Sequence, residues 1–341
     1  ATPAPFQQLI NITNSSSIWP LINQTDAQNV FFELPNGTIL YSWFEGFGKS
    51  GSTKYAVWWV KLPNGVPAGS TIHIYMIINA SQSANDYAEF YPYVGAAPTV
   101  TPKYDAYDNG QDVFVAYGYF NDTFDGWTAG VSAGPFKPTA TSTGIEMLNA
   151  TESEGTYILP PNNWQIPKEP LVVEEAWAHY MPNDETQADA DAISLFGNTS
   201  RLYPVADVGK TLGGPTPISN GSTFVQFEFF IDAPYAYLKS NVTNSVLAQT
   251  SFPTYNATFY SFFILTSSEA EAGYYVYYAS NKSPFVVWVP LTYVGTLIYS
   301  STVSAGISYN PYQFPTLMIG AGTGGAYSYI YVEWVVARAY P

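Results

Sequence analysis

The chain has 341 residues, of which 47% are hydrophobic, 17% aromatic and only 11% charged. Its net charge of −15 excludes a cationic track for nucleic acid, and the absence of cysteine excludes disulfides and thiolate metal sites. No apolar run is long enough to span a membrane, so we expect no membrane span in this chain. We interpret the Pro-rich start, residues 1–5, as a mature end left after signal-peptide cleavage in an exported protein.

Short segments with alternating apolar and polar residues predict an all-β protein. The pattern is clearest at 71–78, 224–232 and 328–338, and clusters of Gly, Pro and Asn separate such segments. No segment combines a helical period with caps, so helix should be a minor component. We therefore expect an antiparallel β-sandwich or jelly roll, in which one face of the last strand is buried, namely Ile330, Val332, Trp334 and Val336.

A segment of small residues broken by prolines, 94–102, predicts a domain boundary. It divides the chain into two packed β domains, 1–97 and 98–341. The strand-rich pattern continues on both sides of this boundary, and no tandem repeat is visible.

The first domain contains a characteristic series of short motifs: Asn-Val-Phe-Phe at 29–32, Leu-Pro-Asn-Gly-Thr at 34–38, Ala-Val-Trp-Trp-Val at 56–60 and Val-Pro-Ala-Gly-Ser at 66–70. In these motifs and their order it resembles a poorly characterised N-terminal family of secreted archaeal and bacterial surface proteins. A concanavalin-like jelly roll of the LamG type typically follows that domain. Residues 112–127 and 324–340 resemble the two ends of one, which implies an N-terminal β-sandwich over 1–97 and a jelly roll over 98–341.

Acceptor triplets for N-linked glycans are unusually frequent. Twelve of the 21 asparagines begin an Asn-x-Ser/Thr triplet, whereas chance would give about four. The excess predicts an extracellular protein carrying covalent N-glycans, although a chain rich in Asn, Ser and Thr turns would also raise the count. The candidate glycosylation sites are Asn11, Asn14, Asn23, Asn36, Asn79, Asn121, Asn149, Asn198, Asn220, Asn241, Asn256 and Asn281.

One acidic turn is a candidate calcium site. Asp105, Asp108 and Asp112 surround Gly110, and calcium prefers clustered oxygen ligands. The spacing does not match the twelve-residue calcium loop, and a solvated turn is the alternative interpretation. Calcium is the one cofactor that the sequence suggests.

Catalytic signatures are missing from the sequence. Glu174 and Glu175 are adjacent in a predicted strand and must point to opposite faces, so they cannot form the paired carboxylates of a glycosidase. The two histidines, His73 and His179, are far apart and show no triad order. We predict that the protein is not an enzyme.

These patterns together predict a heavily N-glycosylated structural protein, a subunit of an archaeal-type surface filament, pilus or layer that assembles with copies of itself through β-strand contacts. The low charge suggests an acid-living thermophile. The alternative is a lectin-like carbohydrate-binding module or adhesin that contacts surface polysaccharide, and a glycan hydrolase is less favoured. Exposed aromatic rings would favour the lectin, a strand supplied by a neighbour the filament, and two acids facing one cleft the hydrolase.

The N-terminal segment is the candidate donor strand for such a filament. Residues 6–13 read as a short strand, and Ile10 and Ile12 share a face that could fill a groove of the next subunit, with Phe6 as a further apolar anchor. Pairing of this strand within its own domain is the alternative.

Overall fold

The computed structural model describes residues 1–100, 102–150, 153–161, 170–180, 189–196, 226–232, 235–240, 245–251, 257–266, 269–279, 297–304, 316–324 and 328–340. The chain forms two compact units. Unit 1 comprises Ala1–Tyr117 and Ala337–Pro341, and unit 2 comprises Gly118–Val336. Residues 98–117 thus pack with unit 1, which extends twenty residues beyond the expected boundary at residue 97. The division into domains at residue 97 stays a prediction.

Unit 1 is built on a four-stranded sheet in the order β1-β4-β3-β6, with a separate hairpin of β2 and β5. Pairing is antiparallel except between β3 and β6, which run parallel. The strand expected at 71–78 begins only at Tyr75, although burial still alternates through Ile72 and Ile74. The strands are β1 (Phe6–Thr13), β2 (Val30–Glu33), β3 (Ser42–Ser50), β4 (Thr53–Leu62), β5 (Tyr75–Ile78) and β6 (Val94–Ala96).

The helices of the described residues are short. The α-helices are α1 (Asp86–Phe90) and α2 (Gly110–Val113), and two 3-10 turns cover Trp19–Leu21 and Pro102–Tyr107. Asn85 caps α1, because its side chain accepts a hydrogen bond from the Ala88 amide at 3.2 Å. Helix is therefore a minor component, as the sequence predicted.

Both faces of strand β4 are buried. Trp58 and Trp59 are neighbours in the strand and point to opposite faces, yet only 1% and 5% of their surfaces are exposed. Trp58 packs against Phe44, with ring centroids 4.9 Å apart, in the core that β2, β5 and α1 cover. Trp59 packs on the other face against Phe114, with centroids 5.7 Å apart.

The second face of the sheet is covered by residues that lie far apart in the chain. The buried Gln7 side chain donates to the Val113 carbonyl at 3.1 Å and accepts from the Ala339 amide at 2.9 Å. The Val115 amide donates to the Ala337 carbonyl at 2.9 Å. Backbone groups from both segments are thereby satisfied in the interior, which explains why unit 1 includes residues 98–117 and the chain's end.

Unit 2 contains two larger antiparallel sheets. One has eight strands, with β19-β18-β17-β12-β21-β10-β9 in order and β7 beside β21, and the other has seven, in the order β16-β15-β14-β13-β20-β11-β8. The Thr156 hydroxyl of β11 donates to the Met147 carbonyl of β10 at 2.6 Å, which links the two sheets. The expected all-β sandwich is confirmed, and Ile330, Val332, Trp334 and Val336 are buried as predicted.

The segment expected at 224–232 is a strand from Gln226 onward within the described residues. The remaining strands are β7 (Ala116–Tyr119), β8 (Thr128–Ala133), β9 (Thr139–Thr141), β10 (Gly144–Ala150), β11 (Ser153–Leu159), β12 (Leu171–Tyr180), β13 (Asp189–Phe196), β14 (Gln226–Asp232), β15 (Tyr235–Ser240), β16 (Ser245–Ser251), β17 (Ala257–Leu265), β18 (Glu269–Ala279), β19 (Leu297–Ser304), β20 (Thr316–Gly324) and β21 (Ser328–Ala339).

A buried carboxylate gives unit 1 a predicted pH dependence. Asp86 is fully buried, and its carboxylate oxygens have no hydrogen bond of normal geometry among the described residues. Burial raises its pKa, Glu89 raises it further, and the Asn79 amide opposes the shift. The contribution of Asp86 to stability should be most favourable below the ordinary pKa of 3.8 and should fall as the pH rises through the raised value, because folding then buries a charge.

We expect Asp86→Asn to stabilise the protein by about 1–3 kcal/mol at pH 7, because an amide stays neutral where the carboxylate must ionise. The gain should vanish below pH ~4, where both forms are neutral. Urea unfolding at pH 3 and pH 7 measures this difference. Asp122→Asn, the same substitution at an exposed position, is the control and should change stability by less than about 0.5 kcal/mol. Equal effects of Asp86→Asn at both pH values would contradict the assignment.

Candidate functional site

Two tyrosines meet at one end of the four-stranded sheet of unit 1. The Ser42 amide donates to the Tyr93 carbonyl at 2.8 Å, and the Lys61 amide donates to the Tyr41 carbonyl at 2.9 Å. This pairing places Lys61, Tyr41 and Tyr93 side by side across three chain segments. The rings of Tyr41 and Tyr93 are in contact, with centroids 4.6 Å apart.

Tyr91, two residues before Tyr93 in the chain, is a further exposed tyrosine of this region. Tyr91 and Tyr93 leave 46% and 43% of their surfaces exposed, which is unusual for large aromatic side chains. Tyr107 packs against Tyr91, with ring centroids 6.0 Å apart. Each exposed ring therefore packs against another tyrosine ring, so its position is fixed and it is not an isolated side chain.

Charged groups border the three rings. The Lys61 ammonium lies 5.5 Å from the centroid of the Tyr41 ring and donates to the Asp112 carbonyl at 2.6 Å. The Asp112 carboxylate lies close enough to raise the pKa of both Tyr41 and Tyr91. We call the set Tyr41, Tyr91, Tyr93, Lys61 and Asp112 the tyrosine face.

The electrostatics of the tyrosine face favour the neutral phenols of Tyr41 and Tyr91. Burial is the largest cause that raises the pKa of Tyr41 and Tyr91, followed by the Asp112 carboxylate. Burial also raises the pKa of Asp112, although Lys61 opposes that shift, and it lowers the pKa of Lys61. The surface thus offers flat apolar rings together with the tyrosine hydroxyls, the Asp112 side chain and the Lys61 ammonium, all of which can form hydrogen bonds.

The acidic turn that the sequence suggests for calcium contains one carboxylate, Asp108, with several hydrogen bonds inside unit 1. Asp108 accepts hydrogen bonds from the Trp43 indole at 2.8 Å, the Gly110 amide at 3.0 Å and the Tyr117 hydroxyl at 2.9 Å. Within the described part of the chain, no three acidic, histidine or cysteine side chains gather in a group that could hold a metal ion. Asp105, Asp108 and Asp112 therefore give the calcium prediction no geometric support.

The described glycan acceptors lie mostly on the surface. Asn11, Asn14, Asn36, Asn79 and Asn121 are exposed, whereas Asn23 is half-buried. Asn149 lies in β10, but its side chain is outside the described part of the structure. Asn198, Asn220, Asn241, Asn256 and Asn281 are also outside the described residues. Glycosylation itself stays a prediction.

The adjacent acids of unit 2 do not face a common cleft. Glu174 pairs across the sheet with Phe262, and Glu175 with Ser261, so the two side chains point to opposite faces. Both are buried, and Glu174 accepts a hydrogen bond from the Tyr260 hydroxyl at 2.5 Å. His179 is buried in β12, and His73 is exposed just before β5 rather than inside a strand. This geometry does not supply the paired carboxylates of a glycosidase.

The candidate donor strand pairs within its own chain. Strand β1 is antiparallel to β4 from Phe6 opposite Leu62 to Thr13 opposite Tyr55. Phe6 is buried in the core of unit 1, and Ile10 and Ile12 pack against that core. Because β4 is the only neighbour of β1 in the sheet as described, β1 is an edge strand.

The sequence did not identify the tyrosine face. Tyr41 and Tyr93 are distant in sequence, and the short parallel contact between β3 and β6 brings them together. The Tyr-Pro-Tyr run at 91–93 was the available local signal, because a proline between two aromatic residues suggests a turn that can expose both.

Comparisons with known proteins found no matching family model. Uncharacterized protein 562 of Sulfolobus islandicus rod-shaped virus 1 is 29% identical over 238 residues, which are 68% of this chain and 39% of that protein. The chain thus spans well under half the length of this relative. The N-terminal domain family remains a resemblance in sequence pattern.

Several solved lectin domains have a similar arrangement of strands. The metal-free exoplasmic/lumenal domain of VIP36 is 11% identical with a TM-score of 0.44, over 67% of this chain and 90% of that one. Lectin II from Ulex europaeus is 7% identical with a TM-score of 0.42, over 65% and 97%. The potassium-bound carbohydrate recognition domain of Emp46p is 9% identical with a TM-score of 0.38, over 62% and 88%. At these TM-scores the similarities carry no functional argument.

Among the described residues, no helix is long and apolar enough to cross a membrane.

We expect Asp108→Ala to destabilise unit 1 by about 2–4 kcal/mol, because it leaves the Trp43 indole, the Gly110 amide and the Tyr117 hydroxyl without their shared acceptor. Asp105→Ala is the matched control at an exposed position and should cost less than about 0.5 kcal/mol. Thermal unfolding with and without millimolar calcium measures both effects. If calcium stabilised the unchanged protein and each variant lost that stabilisation, Asp105 and Asp108 would be metal ligands instead.

Proposed function

We propose that the protein is a non-enzymatic, lectin-like carbohydrate-binding protein of the cell exterior, and that the tyrosine face is its binding surface. The observation that carries the proposal is the exposure of Tyr91 and Tyr93 beside Tyr41, Lys61 and Asp112. The relative from a virus of Sulfolobus islandicus supports an archaeal setting.

The chemistry of the tyrosine face matches that of a sugar ring. A pyranose has an apolar face of C–H groups and a rim of hydroxyls, so it can lie on an aromatic ring while its rim forms hydrogen bonds. Tyrosine supplies a flat apolar body with a polar tip, and it loses little conformational entropy on binding. Exposed apolar patches bordered by polar groups commonly mark binding sites.

The negative charge of the protein restricts the class of sugar that the tyrosine face would bind. The chain has a net charge of −15, and the acids Asp105, Asp108 and Asp112 lie near the tyrosine face or in the same turn. A negative field slows the approach of anionic polymers and disfavours their binding. The proposed ligands are therefore uncharged polysaccharides, such as the neutral glycans of a cell surface.

Replacing the exposed rings should abolish binding without unfolding the protein. We expect Tyr91→Ala and Tyr93→Ala each to weaken binding of an uncharged polysaccharide by about tenfold or more, as loss of a principal aromatic contact does. Tyr75→Ala is the matched control, because Tyr75 is 50% exposed on β5 and lies outside the tyrosine face. Glycan arrays would identify ligands, and calorimetry would measure the affinities.

Two results would overturn the proposal. One is a failure of the intact protein to bind any uncharged glycan on the array. The other is binding that survives replacement of both tyrosines. Circular dichroism of each variant would confirm that a loss of binding does not come from unfolding.

A second candidate function is a structural subunit of a surface filament, proposed on the position of β1. This strand lies at a sheet edge, follows the Pro-containing residues 1–5 and inserts Phe6 into a hydrophobic core. Exchange of β1 between subunits would preserve every contact that it makes within one chain, including the hydrogen bonds of Gln7. The protein would then polymerise by strand complementation.

Deletion of residues 1–13 should prevent polymerisation, whereas deletion of residues 1–5 alone should not, because β1 then remains complete. Electron microscopy and light scattering would compare the two proteins. A synthetic peptide of residues 1–13, added to the longer deletion, should restore the fold of unit 1 and yield capped monomers. Native filaments of the longer deletion, or an intact protein that never polymerises, would refute this function.

A further inference from the structure

Two glycan acceptors of unit 1 form the same local turn but differ in what their amide nitrogens contact. In each, the side-chain oxygen of the asparagine accepts from the backbone amide of the threonine two residues later, at 2.8 Å for Asn23 and 3.1 Å for Asn36. Both triplets have threonine in the third position. The acceptor asparagine, the threonine and the local turn are thus matched, although the middle residue is Gln24 in one triplet and Gly37 in the other.

The Asn36 amide nitrogen points away from the fold. Residues 35–38 are all exposed, and the loop is closed by hydrogen bonds of 2.9 Å from Leu34 to Thr38 and from Gly37 to Leu34. Gly37 has a φ of +80°, and no other atom lies within 4 Å of the position its Cβ would occupy. Among the described residues Nδ2 of Asn36 has no hydrogen-bond acceptor, so the turn holds its oxygen and leaves its nitrogen to solvent.

The Asn23 amide nitrogen is part of the fold. Its Nδ2 donates to the Gln82 carbonyl at 2.7 Å, and its backbone amide donates to the side chain of the buried Asn29 at 2.8 Å. Asn29 in turn donates to the carbonyls of Leu21 and Asn79, both at 3.0 Å. Asn23 therefore connects two loops, and a sugar on Nδ2 would replace one of its two N–H groups and would have to fit beside the Gln82 carbonyl, where the loops meet.

We propose that N-glycosylation of this chain is selective, with Asn36 modified and Asn23 left bare. The donor is a lipid-linked oligosaccharide whose sugar is joined to a phosphate leaving group. The bond between sugar C1 and the phosphate oxygen breaks, a bond forms between C1 and Nδ2, Nδ2 loses one proton, and the lipid phosphate leaves with the electron pair. No oxidant or reductant is involved.

The same contrast holds if transfer precedes folding. A sugar on Asn36 stays in solvent when the loop closes, so the folded state tolerates it. A sugar on Asn23 opposes the closure of residues 21–29 on residues 79–86, and the modified chain folds less well. Folded, exported protein is therefore depleted in chains modified at Asn23.

The test is site occupancy in the full chain, secreted with a signal peptide from a host that N-glycosylates exported proteins. Peptide mass spectrometry should find Asn36 occupied in most molecules and Asn23 in fewer than about one in ten. Asn36→Gln and Thr38→Ala should each lower the intact mass by one glycan. Asn23→Gln should leave the glycan mass unchanged after the known mass of the variant polypeptide is subtracted from the intact mass.

Three outcomes would overturn the proposal: equal occupancy at the two sites, a bare Asn36, or no glycan on the chain when a reporter triplet in the same host is modified. A melting temperature unchanged by a glycan at Asn23 would contradict the structural reason. None of these outcomes depends on whether the tyrosine face binds carbohydrate.

Discussion

The structure of unit 1 depends on the adjacent tryptophans of strand β4. Since neighbouring residues of a strand point to opposite faces, Trp58 and Trp59 require the sheet to be covered on both sides. A four-stranded sheet with its hairpin and α1 can cover one side. The other side needs a second layer, which residues 108–117 and 337–339 provide. Phe114 packs on Trp59, the Gln7 side chain of β1 binds both segments, and a backbone hydrogen bond joins the segments to each other.

That second layer explains the neighbouring features. The Trp43 indole is buried on the covered face and needs an acceptor, and Asp108 supplies one while it also fixes α2 and Tyr117. A carboxylate engaged in this way has little capacity left for a cation. At the end of the sheet, where Tyr41, Tyr93 and Tyr91 lie, rings remain exposed. The tyrosine face is thus a continuation of an aromatic core onto the surface.

Much of this architecture could be predicted from sequence, and the exceptions have physical causes. The alternation of apolar residues at 328–338 predicted the buried face of β21. Acids around a glycine turn, however, look alike whether they bind calcium or accept from an indole, because the Trp43 donor lies 65 residues from Asp108. The expected boundary at residue 97 relied on small residues and prolines. Composition could not show that Tyr104, which follows this boundary, donates a hydrogen bond of 2.6 Å to Asp26 and so packs within unit 1.

The candidate sites were also hard to predict from sequence, because they depend on contacts between residues far apart in the chain. Asn23 and Asn36 both begin an acceptor triplet that ends in threonine, and the sequence does not show that the Gln82 carbonyl contacts the amide nitrogen of Asn23. The tyrosine face depends on a parallel contact of three residue pairs between β3 and β6, which leaves no periodic signal in the sequence. Sites that depend on long-range pairing are therefore harder to predict than buried strands.

The most direct test of this account is native-state hydrogen exchange of the intact chain. If the second layer is an integral part of unit 1, the amides of residues 56–60 and those of residues 113–115 should exchange with similar, high protection, as one cooperative unit. Fast exchange at 113–115 beside slow exchange at 56–60 would contradict it, because the second face of the sheet would then open independently of the first.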